Sequence, residues 1–341
     1  MRNTADGAAR RPWRAAFFFV LALALPGAAP ARAGQLFGDI GDLELASGEV
    51  LKECRVGYRA YGAPNADKSN VILQPTWANG RTEQMEGGVA GLVAAGFYVI
   101  TVDALSNGVS SSPSNSRLQP RMRFPKITVR DMVESQHRLL TRVLGITHIK
   151  AVMGTSMGGM QAFQWATAYP GFMDKAVALV GSPRLAPYDM LLWQTQIDAI
   201  KNDRRWNGGD YTENPATEFE YEIGALILTS PDYYNAHTTR EQLFAEIAKS
   251  RDAYSGPDAN DKIRQAEAMM ALDVADDAGK VKAEMFIAVS KTDHTVTPGP
   301  ALEFARRLGV VPFIYEGDCG HSVHYCQDGG MGAALMKFLA D

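Results

Sequence analysis

Cysteine is scarce, with three residues in 341, and none stands in a Cys-x-x-Cys pair. No two of the six histidines are spaced His-x-x-x-His. These absences leave no zinc-type ligand set, so the sequence gives metal catalysis no support. A glycine-rich phosphate-binding loop is missing as well, which removes the nucleotide-dependent classes that carry it. The apolar run Ala15–Leu25 has 11 residues, where a membrane-crossing helix needs roughly 20. Internal repeats, low-complexity tracts and long linkers are absent. Basic residues do not outnumber acidic ones, at 34 against 38, and such a surface does not favour nucleic acid or anionic lipid.

With 46% hydrophobic and 21% charged residues, the chain can bury a large core. Its first 33 residues stand apart. Arg10, Arg11 and Arg14 precede "AAFFFVLALAL", the run breaks at Pro26-Gly27, and "ARA" ends at Ala33. That order of basic, apolar and small residues predicts a secretory signal peptide over 1–33, cleaved near Ala33. The mature protein is then periplasmic or secreted and has no stable membrane anchor. Loss of five arginines and one aspartate leaves 29 basic against 37 acidic residues and moves the formal net charge from −4 to −8. In an oxidising compartment Cys319 and Cys326, which flank His321, can pair and leave Cys54 free. Three unpaired thiols fit the spacing equally well, because spacing does not fix bridging geometry.

The mature chain alternates short apolar runs with helical patterns. "NVILQPTW" (70–77), "FYVITVDA" (97–104), "IKAVMG" (149–154), "KAVALVG" (175–181), "EMFIAVS" (284–290) and "VPFIYEG" (311–317) read as strands. Helical spacing with glycine or proline stops lies between them, as in "VRDMVESQHRLLTRVLG" and "PGPALEFARRLG". This alternation predicts crossover units on a mostly parallel sheet, entered through an antiparallel hairpin at 41–62. From about 183 to 280 the rhythm changes to four helical stretches. The expected organisation is a core over 34–182 and 281–341, with a helical lid insertion over 183–280.

One stretch carries the chemistry. In "AVMGTSMGGMQAFQWA" (151–166), Gly154-Thr155-Ser156-Met157-Gly158 has Gly-x-Ser-x-Gly spacing, with a strand before it and a helix after it. Serine is a poor nucleophile unless a sharp turn presents it, a base takes its proton and amides receive the oxyanion; this strand-turn-helix context supplies the first condition. The acid and base should follow in that order. Asp293 stands in "KTDHTVTP" and His321 in "EGDCGHSVHY", both after strands, where parallel sheets place their sites. Ser156, Asp293 and His321 are therefore the candidate triad. His321 is preferred over His324, which is placed toward the final helix. His294 and Asp318 read as loop or surface groups, and His137, His148 and His237 as ordinary polar residues. For the oxyanion hole, one amide is expected from Met157 and the other from Trp77 or Ala78 in "QPTWANG". Trp193, Trp206, Tyr233 and Tyr234 either line an aromatic pocket or belong to the core.

"VGYRAYGAPNADKSNVIL", "FPKITVRDMVESQHRLLTRVLGI" and "GTSMGGMQAFQWATAYP" resemble, in the same order, segments of the homoserine O-acetyltransferase family of α/β-hydrolases. The likeness runs from about Val56 to Arg184 and resumes around Asp293 and His321. It implies an α/β-hydrolase fold and a double displacement through an acyl-serine, with those three residues in the triad positions. Three positions depart from the family. The aspartate that follows the catalytic histidine is Ser322 here. The insertion arginine that receives the homoserine carboxylate aligns with Ile197. The oxyanion-loop Leu-Thr-Gly is Ala78-Asn79-Gly80.

The expectation is an exported serine hydrolase acting on a small-molecule ester or related acyl substrate, with no metal or organic cofactor; a homodimer is compatible with it. The alternatives are an O-acyltransferase with an altered acceptor and a catalytically silent binding protein.

Overall fold

The computed structural model describes residues 33–215, 218–253, 256–323, 326 and 330–341. The expected signal segment, up to residue 32, and His324 lie outside these residues. An eight-stranded sheet is built from β1 (Leu36–Glu44), β2 (Val50–Tyr61), β3 (Val71–Pro75), β4 (Tyr98–Val102), β5 (Ile149–Thr155), β6 (Met173–Leu179), β7 (Glu284–Ser290) and β8 (Phe313–Tyr315). Its order is β1-β2-β4-β3-β5-β6-β7-β8. β1 and β2 pair antiparallel, as do β2 and β4, and every pairing from β4 through β8 is parallel. The expected entry hairpin forms, and β1 begins at Leu36 rather than near residue 41.

Alternate residues of the central strands feed two separate cores, as the pleat requires when both faces are covered. Val71, Leu73, Ile100, Val102, Ala176, Ala178, Met285, Ile287 and Val289 face one core. Ile72, Val99, Val177, Leu179 and Ala288 face the other. Helices α2 (Val129–Arg138), α3 (Met157–Ala168) and α9 (Gly299–Leu308) cover the first face, through Met132, Val133, Met160, Phe163 and Phe304. α1 (Glu86–Ala94) and α10 (Met331–Ala340) cover the second, through Val89, Leu92, Leu335 and Leu339. α2 starts at a reciprocal cap between Thr128 and Asp131. It passes into a π-helical segment at Leu139–Val143, so the helical run from Val129 is not one regular helix.

Between β6 and β7 the chain forms α4 (Pro187–Asn202), α5 (Glu218–Ile227), α6 (Pro231–His237), α7 (Arg240–Ala253) and α8 (Ala259–Met270). α6 is short and lies beyond the four helical stretches read from the sequence. It starts at Ser230, whose hydroxyl accepts from the Tyr233 amide, with Pro231 in its first turn. α8 is buried along nearly its whole length and is capped by Asp258, which accepts from the Asn260 and Asp261 amides. It holds these helices to the core through polar contacts. The Arg264 guanidinium donates to the Phe124 carbonyl at 2.9 Å. The Gln265 amide donates to Leu105 O at 3.0 Å, and Asp261 Oδ1 accepts from the Ser114 amide at 2.9 Å. Among the described residues, no helix is long and apolar enough to cross a membrane.

Candidate active site

β5 ends at Thr155 and α3 begins at Met157, so Ser156 alone makes the turn, with φ 56° and ψ −122°. A non-glycine residue at positive φ is strained and is kept only where the surroundings fix it. Here the Ser156 amide donates to Leu179 O at 2.8 Å and its carbonyl accepts from the Met160 amide at 2.9 Å. The flanking glycines let backbones touch. A Cβ on Gly154 would lie 2.1 Å from the Gly158 carbonyl oxygen, and one on Gly158 would lie 2.7 Å from Pro75 O.

The two later loops meet this serine. His321 Nε2 is 2.9 Å from Ser156 Oγ, and His321 Nδ1 is 2.7 Å from Asp293 Oδ2. All three residues are buried, between 4% and 9% exposed. Asp293 Oδ1 accepts from the Thr295 and Val296 amides at 2.8 and 2.9 Å, leaving Oδ2 to face the imidazole. With Nδ1 as the donor to Asp293, Nε2 presents a lone pair to the serine hydroxyl. The residues expected to converge are thus in mutual contact.

Met157 occupies the first position of α3, where an N–H has no intrahelical acceptor and the helix end carries partial positive charge. The facing loop after β3 is held from two sides. Gln161 Nε2 donates to Thr76 O at 3.0 Å, and Gln265 Oε1 accepts from the Asn79 amide at 2.7 Å. The Asn79 amide is therefore committed. Trp77 lays its indole against Gly80 and is buried, and Ala78 lines a small cavity. That cavity also meets Trp193, Gln196, Ile197 and Lys262 from α4 and α8. Ile197 is buried and brings no charge to its wall.

Asp189, in the first turn of α4, accepts from the Thr297 amide at 3.2 Å and from the Thr297 hydroxyl at 3.1 Å. Burial raises its carboxyl above the usual carboxylate range, and the nearby Asp293 charge adds to the effect. Gln161, Gln265, Asp189 and Thr295 support the site, yet none was singled out from the sequence. Gln161 lies within the serine motif and Thr295 two residues after Asp293, whereas Asp189 and Gln265 are far from both in the chain.

The competing groups serve elsewhere. His137 stacks on Tyr169 at 4.0 Å between centroids, and burial lowers its pKa. His148 lies 2.8 Å from Asp174 at the surface, and His237 stacks on Tyr233. His294 bridges loop carbonyls, with Nε2 3.1 Å from Leu226 O, and Asp318 is exposed. Of the aromatic candidates, Trp193 lines the cavity, whereas Trp206 packs against the core and donates to Asn260 Oδ1 at 2.8 Å. Cys319 and Cys326 are joined in a disulfide and Cys54 is free and buried. The one cluster of metal-type ligands among the described residues, Asp318 with these two cysteines, therefore has no thiolates to offer.

A serine at a strained strand-to-helix turn, served by a histidine and an aspartate from the ends of later parallel strands, defines an α/β-hydrolase centre. A sequence model of the α/β-hydrolase fold family matches residues 70–325, and the chain belongs to that family. It is 36% identical over 207 residues to the ethyl acetate hydrolase of Pseudomonas veronii, across 58% of this chain and 59% of that protein. To the homoserine O-acetyltransferase of Geotalea daltonii it is 37% identical over 195 residues, across 51% of this chain and 53% of that one. The resemblance to homoserine O-acetyltransferases is thereby borne out. The chain spans little more than half the length of these curated relatives. Among solved structures, an acetylester hydrolase from Corynebacterium glutamicum matches with a TM-score of 0.80 at 26% identity, over 90% of this chain and 95% of that one.

Proposed function

We propose that the protein is an exported serine hydrolase that cleaves short-chain carboxylic esters through an acyl-serine. The observation that carries this reading is the continuous contact from Asp293 through His321 to Ser156. Ser156 Oγ attacks the ester carbonyl as His321 Nε2 takes its proton, and Asp293 holds the imidazolium that forms. The Met157 amide and one from the Trp77-Ala78 loop receive the oxyanion. The protonated histidine then gives its proton to the leaving alcohol, and a water activated by the same histidine releases the acid.

The helices between β6 and β7 serve as the lid, and the cavity wall beside Ala78, where Trp193, Ile197, Ile200 and Met269 stand with the polar Gln196 and Lys262, suits a small acyl or alcohol group. The names of the Pseudomonas and Corynebacterium relatives, an ethyl acetate hydrolase and an acetylester hydrolase, support the same substrate class. Export is supported by the charge and hydropathy pattern of residues 1–33 and by a disulfide suited to an oxidising compartment.

Acyl transfer is the second reading, favoured by the homoserine O-acetyltransferase relatives. Ser322 and Ile197 weigh against homoserine as acceptor, because two charged partners are missing there. A buried charge-assisted contact is worth roughly 1.5–3 kcal/mol, so homoserine would bind about two to four powers of ten more weakly. The test is a p-nitrophenyl ester panel of graded chain length, run on protein starting near Gly34 with and without millimolar homoserine. Hydrolysis fastest on acetyl or butyryl esters and indifferent to homoserine is expected. Rapid formation of O-acetylhomoserine from acetyl-CoA would defeat the hydrolase reading.

A further inference from the structure

The loops carrying Asp293 and His321 are tied to one short piece of the insertion as well as to the strands that deliver them. Thr295 is 2% exposed. Its hydroxyl donates to Ile227 O at 2.6 Å while its amide donates to Asp293 Oδ1 at 2.8 Å. His294 Nε2 lies 3.1 Å from Leu226 O. From the other loop, the Ser322 amide donates to Leu228 O at 2.9 Å. Gly320, at φ +61°, packs so closely there that a Cβ would lie 2.7 Å from the Ser230 nitrogen. Three successive carbonyls at the end of α5 thus face groups from the acid loop and the base loop together.

We propose that the segment 226–228 clamps the two loops into register and that Thr295 is the positioning residue that couples it to the catalytic acid; the inference rests on the triad reading above. Thr295 touches no reacting atom. It acts through Asp293, whose Oδ2 faces His321 only while Oδ1 is held by the Thr295 and Val296 amides. The insertion is in this respect part of the catalytic framework, and substrate enters without this segment swinging away. Catalytic geometry is sensitive to small displacements, of which one on the order of 1 Å can cost about a hundredfold in rate.

The test compares Thr295→Val, which keeps the shape and removes the hydroxyl, with Thr295→Ser, which keeps the hydroxyl, in the mature chain with p-nitrophenyl acetate. Thr295→Val should lower kcat by at least about tenfold and leave KM and the melting temperature nearly unchanged, and Thr295→Ser should recover the rate. Wild-type kcat in Thr295→Val overturns the clamp, as does a loss that follows melting temperature and is not recovered by serine. Should Thr295→Val not fold, Thr295→Ala decides: it removes the hydroxyl without adding bulk, so a fall in kcat at constant KM is expected and an unchanged kcat overturns the proposal. Ser156→Ala run alongside separates the two levels. If it still turns over, the triad reading fails; if it is dead while Thr295→Val is normal, only the clamp fails.

Discussion

The hydroxyl of Ser156 and Nε2 of His321, 165 positions apart in the chain, lie 2.9 Å from each other. Their partnership makes each dependent on the other. Ser156→Ala and His321→Ala should each reduce kcat by about three to six powers of ten, and the double variant should lose little more, because a triad acts as a unit. Asp293→Asn turns an amide toward the imidazole and favours the wrong tautomer, for about a 10⁴-fold loss. Steady-state kinetics and labelling by a fluorophosphonate probe check these outcomes, and full labelling of Ser156→Ala would place the nucleophile elsewhere.

Backbone contact at the nucleophile turn makes a steric prediction. At Gly154 a methyl group would meet the Gly158 carbonyl at 2.1 Å, whereas at Gly171 it would meet nothing within 4 Å. Gly154→Ala should therefore destabilise the fold by several kcal/mol and abolish activity, since the clash is with backbone that cannot rotate away. Gly171→Ala should be silent. Thermal unfolding of the pair, with activity measured on the folded fraction, decides the matter.

Asp261 joins α8 to the core by accepting from the Ser114 amide and hydroxyl at 2.9 and 2.5 Å. Burial, aided by the charge of Asp258, pushes its carboxyl up to about 7 from an ordinary 3.8. The folded state thus holds this proton more tightly than the unfolded chain. The resulting stability is fully present below the unfolded value and is lost as pH rises through about 7. Asp261→Asn should flatten the decline in melting temperature between about pH 4 and about pH 7, and an unchanged slope would remove Asp261 from that role.

Burial also pushes the Cys54 thiol up to about 12. A thiolate is the reactive form, so Cys54 should resist alkylation in the native protein and react only on unfolding. Ellman titration should count no thiol in the native oxidised protein, one after denaturation, and three after reduction and denaturation. A thiol count of one under native conditions would contradict the burial.

The strands are legible because local pattern fixes them, and so is the chain order of the three side chains that meet at the site. The stretch 284–290 is β7 to the residue, and Ser156, Asp293 and His321 follow from turn context and from where parallel strands end. The supports were less accessible. Gln265 reaches Asn79 across 186 positions, and Thr295 reaches Ile227 across 68, contacts that leave no periodic trace. α6 was missed because seven residues hold too few turns for a periodic pattern, although Ser230-Pro231 is a start signal. The disulfide was undecided since spacing says nothing of the 6.1 Å between the Cα atoms of Cys319 and Cys326.

The contacts at 226–228 use main-chain oxygens, which every residue type carries. Side chains in that stretch can therefore drift through generations without erasing the acceptors, provided the backbone path is kept. The neighbouring cavity wall is built from side chains, Ile197 among them. Ancestral exchange of one substrate for another could proceed there while Asp293 and His321 stayed in place. Selection in a laboratory should follow the same division, with new specificities arising on the faces of α4 and α8, and chain-length changes near Leu228 proving far less tolerated than substitutions.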